Sequence, residues 1–267
     1  MAEESDLLRF LQERSDGNLL SLTAQREAAR QFDCSLRDIE ETALSHSILP
    51  ERYQRNGLLP AQQLLLFHAK VAIIGSGGLG GRVAELLARM GVGNIFLTDP
   101  DIFNESNLNR QNFCTTETLG DYKVEVVARE LKKINPILNI EMTKGLFSET
   151  SVSAADLIVD GLDSIEDRRH LSQLCMKYCR PLIHAAVNKW YGQVGVEQLK
   201  SNLIAQLFPL QAQALSPPQV LPPTVALLAA MQAAEVCKLI LGQNSPLTAA
   251  WLHCDLLNCE YHLLPYK

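Results

Sequence analysis

Two basic residues, Arg110 and Lys123, and two acidic ones, Asp99 and Asp163, have types and neighbours suited to phosphate chemistry. Arg110 lies in "DPDIFNESNLNRQNF", with Asn107 and Gln111 beside it. A guanidinium between two amides suits a triphosphate, which is heavily charged and breaks between its α and β phosphorus atoms. Arg110 can hold phosphate oxygens bidentately, and Asn107 can donate to the same group. The plainer alternative is a polar surface loop. Lys123 follows Gly120 and Asp121, which read as the start of a helix, so its cation falls in the first turn. A cation there opposes the helix dipole by ~0.3–1 kcal/mol, and a bound anion reverses that preference. Together with Arg110 it makes a two-cation clamp for a polyphosphate. Asp163, in "DGLDS", reads as the end of a strand. A carboxylate facing a triphosphate is repelled unless a cation intervenes, so its role there is to hold Mg²⁺. The alternative is a cap on the following helix.

The phosphates need a cradle, and "KVAIIGSGGLGGRVAELLARMGVGNIFLTD" supplies one. Gly75, Gly77 and Gly80 stand in G-x-G-x-x-G spacing. In that motif the first two glycines let backbone approach phosphate and the third lets helix pack on strand. The helix beginning near Leu79 offers free N–H groups and a positive dipole end. The spacing does not distinguish NAD or FAD from ATP. Asp99, closing the second strand, suits ribose hydroxyls, which all of these carry. The choice of ATP rests on Asn107, Arg110, Lys123 and Asp163 downstream.

The elements that position these residues alternate. "KVAIIG", "NIFLTD", "NIEMTKG", "DLIVDGLD" and "PLIHAAV" read as strands separated by helices of ten to fifteen residues. The pattern implies an α/β fold: a Rossmann-like, mostly parallel sheet with helices on both faces. Such sheets bind nucleotides at the carboxyl ends of their strands. After Trp190 the alternation breaks. "GQVGVEQL" reads as an edge strand, "FPLQAQALSPPQVLPP" as a loop or crossing segment, and "AAWLHCDLL" with "EYHLLPY" as a closing pair of strands. Residues 1–50 read as a small N-terminal helical appendage of three helices, two of them opened by a Ser cap. Residues 51–267 form the nucleotide-binding domain.

The 267 residues include 47% apolar and 20% charged side chains, enough for a substantial core. A net charge of −6 gives no electrostatic reason to expect nucleic acid or an anionic membrane as partner. The apolar stretch "PTVALLAAMQAAEVCKLILG" carries Gln232, Glu235 and Lys238 in its second half and reads as a buried helix rather than a membrane span. Seven irregularly spaced cysteines and no secretion signal point to reduced thiols in a cytoplasm. Cys175 and Cys179, at helical spacing, read as packed inside.

From Arg52 to Gly242 the chain resembles the ThiF/MoeB/HesA family of adenylating enzymes, bacterial relatives of the ubiquitin-activating enzymes. The matching pieces are "ERYQRNGLLP", "GSGGLGG", "GVGNIFLTDPDIFNESNLNRQ", "TLGDYKVE", "INP", "DGLDSIEDR", "PLIHAAV" with "GQV", and "MQAAEVCKLILG". The resemblance implies an adenylyltransferase that binds ATP and Mg²⁺. Its substrate would be the C-terminal Gly-Gly carboxylate of a ubiquitin-like sulfur carrier such as ThiS or MoaD. Carried over by position, Gly75, Gly77, Gly78 and Gly80 cradle the nucleotide and Asp99 binds its ribose. Asn107, Arg110, Gln111 and Lys123 contact phosphate, and Asp163 serves the metal. Arg55, from R-Y-x-R, reaches the ATP of the other subunit, which implies a homodimer.

Two departures matter. The family's C-x-x-C pairs are absent, so no zinc is expected. The crossing loop "QAQALSPPQVLPP" has no cysteine, and Ser216 without a base is no substitute. The chemistry is therefore expected to stop at the acyl-adenylate, with sulfur supplied by a separate donor protein. Ser164 also stands where the family often has Asn. Three other functions compete: adenylation of a small or tRNA-borne carboxylate, an NAD-dependent oxidoreductase, and a non-catalytic carrier-binding scaffold.

Overall fold

The computed structural model describes residues 2–199, 201–211 and 219–266. It begins with α1 (Ala2–Arg14), β1 (Leu19–Leu20), α2 (Leu22–Gln31), α3 (Leu36–Ser45) and β2 (Leu49–Pro50). The Ser caps have local causes. Ser21 accepts the Ala24 N–H, and Ser35 exchanges bonds with Asp38 in a full capping box. Leu11, Leu20, Ala28, Ile39 and Ala43 close a small core between the three helices. The parallel pairing of β1 with β2 had no sequence signal, because two residues per strand show no alternation.

This unit docks at the amino-terminal ends of the main strands. Arg37 donates to Gly93 O (2.8 Å), Ile137 O (3.2 Å) and Asn94 Oδ1 (3.2 Å), with its guanidinium 4.3 Å from the Phe67 ring centre. Glu40, fully buried, accepts from Arg52 and from the Tyr53 hydroxyl. Burial raises the Glu40 pKa, and the Arg52 guanidinium opposes that rise.

The chain continues through α4 (Pro60–His68), β3 (Lys70–Ile74), α5 (Gly78–Met90), β4 (Asn94–Thr98), α6 (Lys123–Ile134) and β5 (Asn139–Thr143). There follow α7 (Glu149–Ser153), β6 (Leu157–Asp160), α8 (Ile165–Lys177), β7 (Leu182–Asn188), β8 (Tyr191–Glu197) and α9 (Leu203–Leu207). Then α10 (Pro222–Ile240), β9 (Ala250–Asp255) and β10 (Glu260–Pro265) complete it. The sheet order is β10-β9-β8-β7-β6-β3-β4-β5. Strands β5, β4, β3, β6 and β7 are parallel, and β8, β9 and β10 add antiparallel. The sheet is mostly parallel and its inner parallel strands β3, β4, β6 and β7 are largely buried, while β5 at the edge is mostly exposed. Val71 and Ile73 of β3 pack under α5, α6 and α10, while Ala72 and Ile74 pack under α7, α8 and α9. The buried part of β3 is apolar on both faces, hence "VAII" after the exposed Lys70.

The segment expected as an edge strand is β8, which lies inside the sheet between β7 and β9. The edge is β10, every residue of which is exposed. The β9–β10 hairpin returns only after α10, so nothing local to β8 could announce its second neighbour. By length and composition α10 is apolar enough to cross a membrane. In this fold it packs on α5, β7 and β8, with Val225, Leu228, Ala229 and Val236 buried. Its Gln232 donates to Asp160 O and Ile183 O, both at 3.0 Å. Cys175 is buried as expected, but Cys179 lies beyond the end of α8 and is exposed. The crossing-loop serine, Ser216, lies outside the described residues.

Candidate active site

Strands β4 and β5 lie on one side of β3, and β6 and β7 on the other, so the sheet's switch point falls between β3 and β6. Gly75 follows β3 and Gly161 follows β6, and there the two turns touch. Gly75 has φ +92°, and a Cβ on it would stand 2.6 Å from Gly161 O. Its N–H donates to Thr98 O (2.8 Å), and the Gly161 N–H donates to Ile74 O (2.8 Å). A Cβ on Gly80 would overlap Gly75 O, so the third glycine lets α5 pack on the turn. These contacts open a cleft of about 1000 Å³ along the carboxyl ends of the strands.

Gly75, Gly77, Gly78, Asp99, Arg110, Gln111, Lys123 and Asp163 all line that cleft. Among the described residues its lining does not include Gly80, Asn107 or Arg55. Asn107 shapes the wall from behind: its Oδ1 accepts the Asn104 N–H at 3.0 Å, and its carbonyl accepts from Arg110 and Gln111 N–H. Arg55 is exposed on the short 3-10 turn Glu51–Asn56. Its neighbours Arg52 and Tyr53 are occupied with Glu40, and Tyr53 also accepts from Asn135 Nδ2 at 2.8 Å.

Asp99 is fixed by two backbone donors, Ser76 N–H to Oδ2 (2.6 Å) and Asp101 N–H to Oδ1 (2.9 Å). Burial raises its pKa above the usual carboxylate value, and the Lys123 cation opposes this. Lys123, the first residue of α6 and only 7% exposed, has Nζ 2.7 Å from Asp101 Oδ2 and 3.9 Å from Asp99 Oδ1. Those carboxylates compensate a cation at a helix start, so its placement does not by itself require a bound anion. Asp101 was missed in the sequence, although its position two residues past Asp99 was a usable signal. Arg110 donates through Nη1 to Ser106 O and Asn109 Oδ1, both at 2.9 Å. Gln111, 6% exposed, leaves Oε1 buried with no partner among the described residues.

The residue that ends β6 is Asp160, three positions before Asp163, which corrects the placement expected for the latter. Asp160 is fully buried. Its Oδ2 lies 2.6 Å from His184 Nδ1 and 3.2 Å from Arg168 Nη1, and its Oδ1 accepts the Leu162 N–H at 2.9 Å. Burial works against the carboxylate, but Arg168 and His184 outweigh it and hold the pKa below the usual range. Arg168 also donates to Ala185 O (2.9 Å) and to Leu162 O, tying down the loop that carries Asp163. Asp163 itself is exposed on the cleft, and the cap of α8 is Ser164, whose Oγ accepts the Asp167 N–H at 3.3 Å. The network behind Asp163 joins residues distant in the chain and had no sequence signal. Among the described residues no cluster of three or more His, Cys, Asp or Glu side chains is arranged to hold a metal ion.

Fixed cations, an N–H-lined turn and a ribose-type carboxylate at a switch point define a Rossmann-type nucleotide-binding enzyme. Residues 52–266 match the model of the ThiF family, and the chain belongs to that family. It is 30% identical over 237 residues to the sulfur carrier protein adenylyltransferase of Thermus thermophilus, covering 81% of this chain and 87% of that one. It is 33% identical over 208 residues to the molybdopterin-synthase adenylyltransferase of Haemophilus influenzae, covering 72% and 86%. Its fold is similar to that of E. coli MccB, solved with ATP, with a TM-score of 0.68 at 24% identity over 91% of this chain and 82% of that one. The protein is an adenylyltransferase.

Proposed function

We propose that the protein activates the C-terminal Gly-Gly carboxylate of a ubiquitin-like sulfur carrier, using ATP and releasing pyrophosphate. A carboxylate oxygen of the carrier attacks the α-phosphorus. The new O–P bond forms as the bond to the β-phosphate oxygen breaks, leaving an acyl-adenylate. Asp99 binds the ribose, and the Gly75–Gly80 turn with Arg110, Gln111 and Lys123 receives the phosphates. The fixed cations stabilise charge that builds on phosphate oxygens in the transition state, where losing one donor typically costs ~10²–10³ in rate. One exposed carboxylate beside a phosphate site fits Mg²⁺, which takes one or two carboxylates and completes its shell with phosphate oxygens and water. Asp163 would hold that ion, which when bound would neutralise phosphate charge. Asn107 acts by supporting Arg110 and Gln111. Arg55, away from its own cleft, serves the ATP site of a second subunit in a homodimer. Sulfur comes from a separate donor in the cytoplasm, and residues 1–50 act as a distinct helical unit beside the adenylating domain of 51–267.

The observation that carries this reading is the convergence of Arg110 and Lys123 on one cleft with the glycine turn. A dinucleotide's pyrophosphate carries fewer charges than a triphosphate and has less use for that pair. The relatives named above, which act on sulfur carriers or molybdopterin synthase by their names, support the choice of carrier. Pyrophosphate–ATP exchange, with and without a carrier ending in Gly-Gly, tests it. Carrier-dependent exchange that disappears in Arg110→Ala is expected. No exchange with any carrier, together with NAD binding, would overturn the reading.

A further inference from the structure

The cleft runs beyond the nucleotide-binding residues. Asp99 follows β4, and the glycine turn and Asp163 lie over β3 and β6. On the far side the lining continues across β7, β8 and β9 through Ala186, Gln193 and His253. These three stand directly opposite one another in the sheet register, Ala186 beside Gln193 and Gln193 beside His253. A nucleotide anchored at β3, β4 and β6 leaves this row for the acyl substrate.

Gln193 has a fixed orientation, set from behind by His184. Asp160 is ionised, held so by Arg168, and its Oδ2 lies 2.6 Å from His184 Nδ1. Arg168 Nη1 also lies 3.0 Å from Nδ1, but it donates to Ala185 O at 2.9 Å, and the shorter contact with an ionised carboxylate puts the proton on Nδ1. Complete burial disfavours the imidazolium, so the neutral ring has Nε2 bare as an acceptor. Gln193 Nε2 lies 3.2 Å from it and donates. The amide is thereby oriented, and Gln193 Oε1 has no partner among the described residues while the side chain lines the cleft.

We propose that Gln193 reads the acyl substrate, its Oε1 accepting the N–H of the last peptide bond of a polypeptide C-terminus. His184 is the positioning residue that decides which end of the Gln193 amide meets that substrate. This rests on the adenylation reading above and adds to it the requirement for a peptide N–H next to the reacting carboxylate. A carboxylate lacking that N–H leaves Oε1 unpaired and is activated poorly.

The test uses two semisynthetic carriers in pyrophosphate–ATP exchange with the full-length protein. One ends in Gly-Gly. In the other the final glycine is replaced by glycolate, so an ester oxygen stands where the last N–H was. The unmodified protein should prefer the amide carrier by about tenfold in kcat/KM, about 1.4 kcal/mol. Gln193→Leu should bring that preference below about threefold, and Gln193→Glu, which keeps an acceptor, should retain it while lowering kcat. His184→Asn keeps a donor for Asp160 but removes Nε2. It should lose the preference while ATP affinity stays little changed, a selective loss that a merely structural histidine would not produce. An unmodified protein that does not distinguish the carriers, or a preference that survives Gln193→Leu, overturns the proposal alone. A preference that survives His184→Asn overturns the positioning role. No exchange with either carrier overturns the adenylation reading and this proposal with it.

Discussion

Replacing Arg168 with Met removes a guanidinium but keeps most of the side-chain volume. In the native protein Arg168 donates to Asp160 Oδ2 at 3.2 Å, to Ala185 O at 2.9 Å and to Leu162 O. Asp160 has no solvent access, so the substitution strands a carboxylate with only His184 and the Leu162 N–H beside it. Breaking one side of a buried ion pair costs about 3–5 kcal/mol. For a chain somewhat larger than 250 residues each kcal/mol moves Tm by roughly 2–4 °C, so Arg168→Met should lower Tm by roughly 6–20 °C. Thermal unfolding followed by circular dichroism measures this. A second variant isolates the cause. Asp160→Asn introduced together with Arg168→Met removes the stranded charge, and the double variant should be more stable than Arg168→Met alone. A Tm within 2 °C of the native value, or a double variant no more stable than the single one, would refute the reasoning.

Three further outcomes are expected. Lys123→Met should lower carrier-dependent exchange by ~10²–10³. Exchange within about threefold of native would count against the phosphate clamp. Gly80→Ala places a methyl against Gly75 O and should destabilise by about 1–3 kcal/mol in urea unfolding while weakening ATP binding; a neutral effect would mean that the turn is not closely packed. Stability should fall as pH drops below about 6.5, by at most ~1.4 kcal/mol per unit from this group. There the unfolded imidazole of His184 takes up a proton, while the folded one, its pKa lowered by burial, does not. Urea unfolding between pH 8 and pH 5 should show this slope in the native protein and a shallower one in His184→Asn, and parallel curves would exclude it.

The sequence by itself determined what neighbouring residues control. Uninterrupted apolar runs separated by amphipathic helices specify a mostly parallel sheet, because strands buried on both faces are apolar except where a polar group finds buried partners. Ser21 and Ser35 start their helices through bonds that span three residues. Gly75, Asp99, Arg110 and Lys123 were legible because each belongs to a short stretch whose chemistry is local: a turn, a strand end, a polar loop, a first helical turn. Only the tertiary structure decided where distant segments meet. The hairpin of β9 and β10 arrives after α10 and turns β8 from an expected edge into an interior strand. Asp160, not Asp163, ends its strand, and its burial becomes tolerable only when Arg168 from α8 and His184 from β7 reach it. Asp101 compensates Lys123 across 22 positions, and Gln193 takes its orientation from a histidine on the neighbouring strand. An unpaired charge or amide in the interior costs several kcal/mol, so such groups are placed by partners that only folding brings together.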